Sequence, residues 1–242
     1  MATYVIADLH LSEGEGCNKS MDVFGRRWTG YTEKLKRNWE ALVTPEDTVV
    51  IPGDISWALS LAEAEADLRL VDALPGTKIL GKGNHDLWWS SMRKNLAACE
   101  AWGLRSLAFL FNNAIETEEY LIAGSRGWFY DEDATGVPDG VDFEKIVARE
   151  AGRLRMSLAA AAALPSFGKK ETLVFMHFPP VWNGNTVVPI LDVLCEFGVR
   201  RCFYGHIHGN YTTPSRIEHC GIEFSLVSAD YLDFIPHIIL PQ

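Results

Sequence analysis

The stretch RCFYGHIH, residues 201–208, is a short run of apolar and aromatic residues that stops at a glycine and then presents two histidines one residue apart. An apolar run of this length bounded by glycine is the pattern of a buried strand. The polar residues sit at its C-terminal end. The same order recurs in YVIADLH with Asp8 and His10, TVVIPGDI with Asp54, KILGKGNHD with Asn84, His85 and Asp86, and TLVFMHF with His177.

Between these runs the spacing of apolar residues predicts helices over Thr32–Val43, Leu61–Leu74, Ser90–Trp102, Asp142–Leu164 and Val188–Phe197. Strand and helix in alternation indicate βαβ units and a mostly parallel α/β core. In such sheets ligands bind beyond the C-terminal ends of the strands, so the five polar tips are expected to meet in one crevice. Two segments, Ser12–Gly30 and Ser125–Gly140, are too long for simple connections, and each is expected to overhang that crevice. The C-terminal GIEFSLVSADYLDFIPHIIL is expected to add antiparallel strands that supply a second sheet. No internal repeat or linker divides residues 1–242, which read as a single domain.

Composition narrows the function classes. Apolar residues make up 48% and charged residues 22%, an ordinary folded protein rather than a disordered or fibrous one. The formal net charge of -10 argues against nucleic acid as the main partner, because such binding draws on Lys and Arg displacing counterions. Five scattered cysteines without a CxxC pair favour reduced thiols. The opening MATYVIADLH lacks the basic lead-in of an export signal, and no apolar run approaches membrane-spanning length. A cytoplasmic location without membrane attachment is the expectation.

The polar tips carry the chemistry. Each piece alone is weak, since a Gly-Asp is usually a turn and a His-x-His often just two polar residues. Together, Asp8, His10, Asp54, Asn84, His85, His177, His206 and His208 place eight polar side chains at the ends of buried strands, where unpaired charge is costly without a counterion. They use five of the seven histidines; His219 and His237 fall outside the pattern. Carboxylate, imidazole and amide donors in this number exceed what one tetrahedral ion takes, and they suit two transition-metal ions sharing a carboxylate. Such a pair clamps an in-line displacement at phosphorus, one ion acidifying the attacking water to hydroxide.

In order and across nearly the whole chain, Asp8-Leu9-His10, Gly53-Asp54, Gly83-Asn84-His85-Asp86, His177 and Gly205-His206-Ile207-His208 resemble the signature of the calcineurin-like metallophosphoesterases. The resemblance implies an α/β/β/α sandwich of two β-sheets flanked by helices. It implies that Asp8, His10 and His208 hold a first divalent ion and Asn84, His177 and His206 a second, with Asp54 bridging; the pair could be Mn, Fe, Zn or Ni. His85 would approach the leaving-group oxygen as catalytic acid or hydrogen-bond donor, and Asp86 would support the ligands from behind.

Departures from related patterns bear on substrate. The Gly-Asp-x-x-Asp-Arg-Gly of protein serine/threonine phosphatases is here Gly53-Asp54-Ile55-Ser56-Trp57-Ala58-Leu59, which leaves His85 without an assigned acid partner. Lipid A pathway pyrophosphatases usually carry Arg where this chain has His85, and the break-repair nucleases that share the DLHL opening are longer. The expected activity is hydrolysis of a small phosphate monoester or diester. The alternatives are a nuclease or nucleotide pyrophosphatase on the same scaffold, or a non-catalytic interaction scaffold. Trp57, Trp88, Trp89, Trp128 and Trp182 follow the tips and read as packing at loop bases or as a rim that stacks a substrate ring. Arg126, Trp128 and Asn183 are candidate substrate contacts, Asn183 being equally readable as a turn residue.

Overall fold

The computed structural model describes residues 1–14, 19–129 and 142–241. In chain order the strands are β1 (Thr3–Val5), β2 (Thr48–Ile51), β3 (Thr77–Leu80), β4 (Leu107–Phe109), β5 (Ile115–Glu116), β6 (Tyr120–Ser125), β7 (Glu171–Met176), β8 (Val181–Trp182), β9 (Asn185–Thr186), β10 (Arg201–Tyr204), β11 (Arg216–His219), β12 (Ile222–Leu226) and β13 (His237–Ile239). The helices are α1 (Tyr31–Leu42), α2 (Glu65–Ala73), α3 (Met92–Trp102), α4 (Phe143–Ala162) and α5 (Val188–Glu196), each inside or within a residue of its expected span.

One sheet has the order β13-β1-β2-β3-β4 and the other β11-β12-β10-β7-β6-β5. Neighbours run parallel within β1 to β4 and among β6, β7, β10 and β12, while β13, β5 and β11 pair antiparallel at the edges. Side chains alternate between faces along a strand, and here both faces are covered, which is why the strands read as continuous apolar runs. Val5, Val50 and Ile79 meet Ile122, Leu173, Phe175 and Phe203 between the sheets. The alternate residues Tyr4, Val49, Ile51 and Leu80 face Leu35, Trp39, Leu68 and Cys99 of α1 to α3. On the opposite side Leu121, Val174, Met176 and Tyr204 face Leu154, Leu158, Ile190 and Leu194 of α4 and α5. The result is the α/β/β/α sandwich.

The C-terminal segment departs from its expected arrangement. β12 does join the second sheet, but parallel to β10, and β13 returns to the first sheet as the antiparallel partner of β1. A period-two pattern marks a strand without saying which edge will accept it, and the free edge of β1 is what β13 fills. β4 is a further strand that the alternation of runs and helices did not mark. In the first long segment, short 3-10 turns occupy Met21–Phe24 and Arg26–Trp28; residues 15–18 and 130–141, parts of the two segments read as overhanging, lie outside the described residues. Among the described residues no helix is long and apolar enough to cross a membrane.

The two sheets touch at the end of β1. Ala7 N donates to Val227 O at 2.8 Å, Ala229 N donates to Ala7 O at 2.9 Å, and Asp8 N donates to Gly53 O at 3.0 Å. These bonds draw the ends of β1, β2 and β12 into one seam. The functional tips sit there.

Candidate metal centre

The backbone turns sharply where each strand ends. Asp8, His10, Asp54 and His206 all adopt positive φ (61°, 47°, 52° and 69°), a region that costs a non-glycine residue on the order of 1 kcal/mol or more. The surrounding structure enforces this conformation, and it aims the four side chains into the seam. Glycines make the approach possible. A Cβ on Gly83 would collide with the Asp54 carboxylate, and one on Gly205 would collide with the Asp8 carboxylate and with Ala7 Cβ. Gly205 is therefore needed for the space Asp8 occupies, and Gly209 for its φ of +69°.

Asp8, His10 and His208 each offer one ligand-type atom within 4.8 Å of the others, and so do Asp8, Asp54 and His177. His177 lies with Nδ1 3.5 Å from Asp8 Oδ1 and Nε2 3.4 Å from Asp54 Oδ2. His10 Nε2 is 3.1 Å from His208 Nε2 and 3.7 Å from Asp54 Oδ2. Asn84 Oδ1 lies 2.6 Å from His177 Nε2. The His206 ring sits outside both groups, its centroid 5.1 Å from that of His177, while its backbone N–H donates to Asp8 Oδ2 at 2.9 Å. Seven residues from five strand ends thus converge, and Asp8 belongs to both groups rather than to one.

The electrostatics describe a donor set short of positive charge. Burial raises the Asp8 carboxyl to about 6. Burial, then the neighbouring Asp86 and Asp8, hold Asp54 well above the usual carboxylate range. Burial and neighbouring histidines hold His10 and His177 far below the ordinary imidazole value, so both rings are neutral. Among the described residues the Nδ1 atoms of His10 and His177 are buried without a hydrogen-bond partner. Neutral imidazoles and reluctant carboxylates facing one another are what a bound divalent cation would stabilise.

His85 lies above this group, its ring centroid 5.5 Å from His10 and 4.1 Å from Trp57. Burial, with Lys19 next, lowers it to about 4. Its backbone N–H donates to Asp54 Oδ1 at 2.8 Å. No acid holds its ring among the described residues; the face of Trp57, which also stacks on His10 at 4.9 Å, does so instead. Asp86 is fully buried and accepts from Asp54 N, Ile55 N, Ser56 N, Gly83 N and Trp88 Nε1. It ties the Asp54 turn to the Asn84 turn.

One important residue has little signature in the sequence. Asp230, buried, lies 2.8 Å from His208 Nδ1 and accepts from Gly209 N at 3.0 Å and Tyr211 Oη at 3.0 Å. A carboxylate only accepts, so Nδ1 of His208 carries the proton and Nε2 is turned toward Asp8 and His10. Its only sequence signal is an acid in SADY, just past the end of β12.

The remaining candidates sit apart. Trp88 and Trp89 are buried packing residues. Asn183 and Gly184, with φ of 49° and 79°, form the two-residue turn of the β8–β9 hairpin, and Asn183 is exposed. Arg126 pairs with buried Glu150 at 3.3 Å and lies over Trp128. Trp128 packs on Phe129 and Phe178, and these two line the His206 ring. His219 and His237 lie on the edge strands β11 and β13.

A protein-family model described as calcineurin-like phosphoesterase matches residues 1–210. No curated protein matches the chain significantly. Among solved structures, a protein of unknown function from Aquifex aeolicus is 18% identical, with 98% of this chain and 95% of that one covered at a TM-score of 0.52. A phosphopantetheinyl hydrolase from Mycobacterium tuberculosis is 15% identical, with 100% and 96% covered at a TM-score of 0.57. A Thermus thermophilus protein is 13% identical, with 96% and 91% covered at 0.51. At such identities the likeness speaks for the fold alone.

Proposed function

Since the chain belongs to the calcineurin-like phosphoesterase family, we propose that it hydrolyses a small phosphate monoester or diester with two divalent transition-metal ions. The donor chemistry fits such a pair. Asp8, His10 and His208 would hold one ion, Asn84, His177 and His206 the other, with Asp54 between them and Asp8 close enough to lean on both. When bound, the ions supply Lewis acidity, acidifying water and neutralising charge on the phosphoryl oxygens.

The chain's own residues do the rest. Asp86 fixes the Asp54 and Asn84 turns in relation to each other through five hydrogen bonds, the kind of preorganisation that positions reacting groups. His208 is oriented by Asp230. His85, neutral at physiological pH, offers an N–H to the leaving-group oxygen as that oxygen gains charge, and Trp57 sets the plane of its ring. Trp28, edge-on to His10 and His208, helps exclude water from that side.

The observation that carries this reading is that two donor groups, buried except for a partly exposed His208, share Asp8 at the strand ends. The test is a hydrolysis panel of aryl phosphate monoester, aryl diester, nucleotides and single-stranded DNA, each with Mn²⁺, Zn²⁺, Ni²⁺ and Mg²⁺. Metal-dependent turnover of a small ester supports the reading. Metal-loaded protein inert on every ester contradicts it.

A further inference from the structure

Cations are concentrated on one flank of the metal centre, in a chain whose formal net charge is -10. Arg126 directly follows β6, Lys82 follows β3, and Arg149 and Arg153 lie one turn apart on α4. One buried carboxylate serves the three arginines. Oε1 of Glu150 lies 3.3 Å from Arg126 Nη2, 3.5 Å from Arg149 Nε and 2.7 Å from Arg153 Nη1. The Lys82 ammonium, on a half-buried residue, has no hydrogen bond or ion pair among the described residues.

A purely structural role for Glu150 needs one cation, since a buried carboxylate with a single well-placed arginine is already neutralised. Here three arginines meet it, and the Lys82 ammonium lies near both it and Asp86, so four cations stand against two carboxylates and two positive charges are left over. Donors are left over as well: among the described residues Arg126 Nε and Trp128 Nε1 are buried without a hydrogen-bond partner, and the Arg126 guanidinium lies 4.9 Å over the Trp128 ring. Desolvated donors and cations without an acceptor are costly. Arg149 and Arg153 keep side-chain exposures of 52% and 31%, so the cluster opens to solvent.

The cluster is built into the metal centre. The carbonyl of Arg126 accepts from His177 N at 3.1 Å. Lys82 stands between Gly81 and Gly83, and Gly83 is pressed against the Asp54 carboxylate.

We propose that Lys82, Arg126, Arg153 and Trp128 form a subsite for a second phosphoryl group, so that the natural substrate carries two such groups, one at the metal centre and one here. The inference rests on the phosphoesterase reading above and names its substrate class: a diphosphate or bisphosphate ester. Arginine forks and an indole N–H suit phosphoryl oxygens, and the lysine adds a point charge.

The test is competitive inhibition of aryl phosphate hydrolysis by methylphosphonate, with one anionic group, and methylenediphosphonate, with two. The metal-loaded wild-type protein is expected to bind the diphosphonate at least about tenfold more tightly, the discrimination one or two charge-assisted contacts supply. Lys82→Gln and Arg126→Gln are each expected to remove most of that preference. Lys82 makes no hydrogen bond or close ion pair among the described residues, so its variant tests the subsite even if Arg126→Gln folds poorly. The diphosphonate's own chelation of metal is the same for every variant and cancels in the comparison. Equal affinity for the two inhibitors in the wild type, or an unchanged preference in Lys82→Gln, overturns the subsite. Absence of aryl phosphate hydrolysis with every metal overturns the underlying reading, and the subsite with it.

Discussion

Replacing Asp86 with asparagine keeps the size of the side chain and removes one of its two acceptor oxygens. Oδ2 accepts from Asp54 N and Gly83 N, both at 2.8 Å, and Oδ1 accepts from Ile55 N at 2.9 Å, Ser56 N at 3.2 Å and Trp88 Nε1 at 2.9 Å. An amide group in place of Oδ2 sets a donor against two backbone donors; flipped, it sets a donor against three. Each buried donor left unsatisfied costs about 1–3 kcal/mol, so the less harmful orientation costs about 2–6 kcal/mol. Part returns, because burial disfavours the Asp86 charge and its loss relieves the repulsion on Asp54. A net loss of about 3 kcal/mol is expected, which for a chain of 242 residues lowers Tm by about 6–12 °C. Thermal unfolding of metal-free protein followed by circular dichroism reads this directly. A Tm within about 2 °C of the wild type would refute the claim that Asp86 pins the two turns.

Further outcomes follow from the same geometry. Asp230→Asn should weaken the ion held by Asp8, His10 and His208 by about 10–100-fold in calorimetric metal titration while the other ion binds nearly as before; equal weakening of both ions argues against this division. Gly205→Ala forces a methyl group into the Asp8 carboxylate, costs about 1–3 kcal/mol in denaturant unfolding, and abolishes high-affinity metal binding; wild-type behaviour would mean that the seam is looser than drawn. His206, lowered by burial from 6.5 to about 4, takes up its proton more readily in the unfolded chain. Metal-free protein should therefore lose stability as pH falls from about 6.5 to about 4, and His206→Gln should flatten that decline by up to about 3 kcal/mol; an unchanged slope contradicts the assignment.

The strand tips are legible in the sequence because burial and chemistry conflict there. An apolar run that ends on Asp54 or His177 is explicable only if something compensates the polar group, and several such endings point to one place. The helices are legible from their periodicity. What stays hidden depends on tertiary meeting. Asp230 is one acid among many until the ends of β12 and β10 lie side by side, and only then does it face His208. The positive φ of Asp8, His10, Asp54 and His206 is only weakly marked in residue type, since aspartate and histidine tolerate that region better than most residues yet adopt it in few of their positions. The return of β13 to β1 follows from an open sheet edge, which the pattern of a single strand does not encode. The cationic flank gathers residues that follow β3 and β6 with two from α4, so charge runs along the chain do not reveal it. Asn183 shows the reverse case: its Asn-Gly dipeptide encodes a hairpin turn, and a hairpin turn is what forms.

The most direct measurement of the central claim is equilibrium dialysis against Mn²⁺ with elemental analysis, run on wild-type and Asp54→Asn protein alongside aryl phosphate turnover. Two ions per chain in the wild type, fewer in Asp54→Asn at the same free Mn²⁺, and turnover reduced at least about a hundredfold in the variant are the expected results, the last because removing one transition-state charge contact costs about 100–1,000-fold. One ion or none in the wild type, or an Asp54→Asn protein that keeps both ions and its activity, would contradict the account.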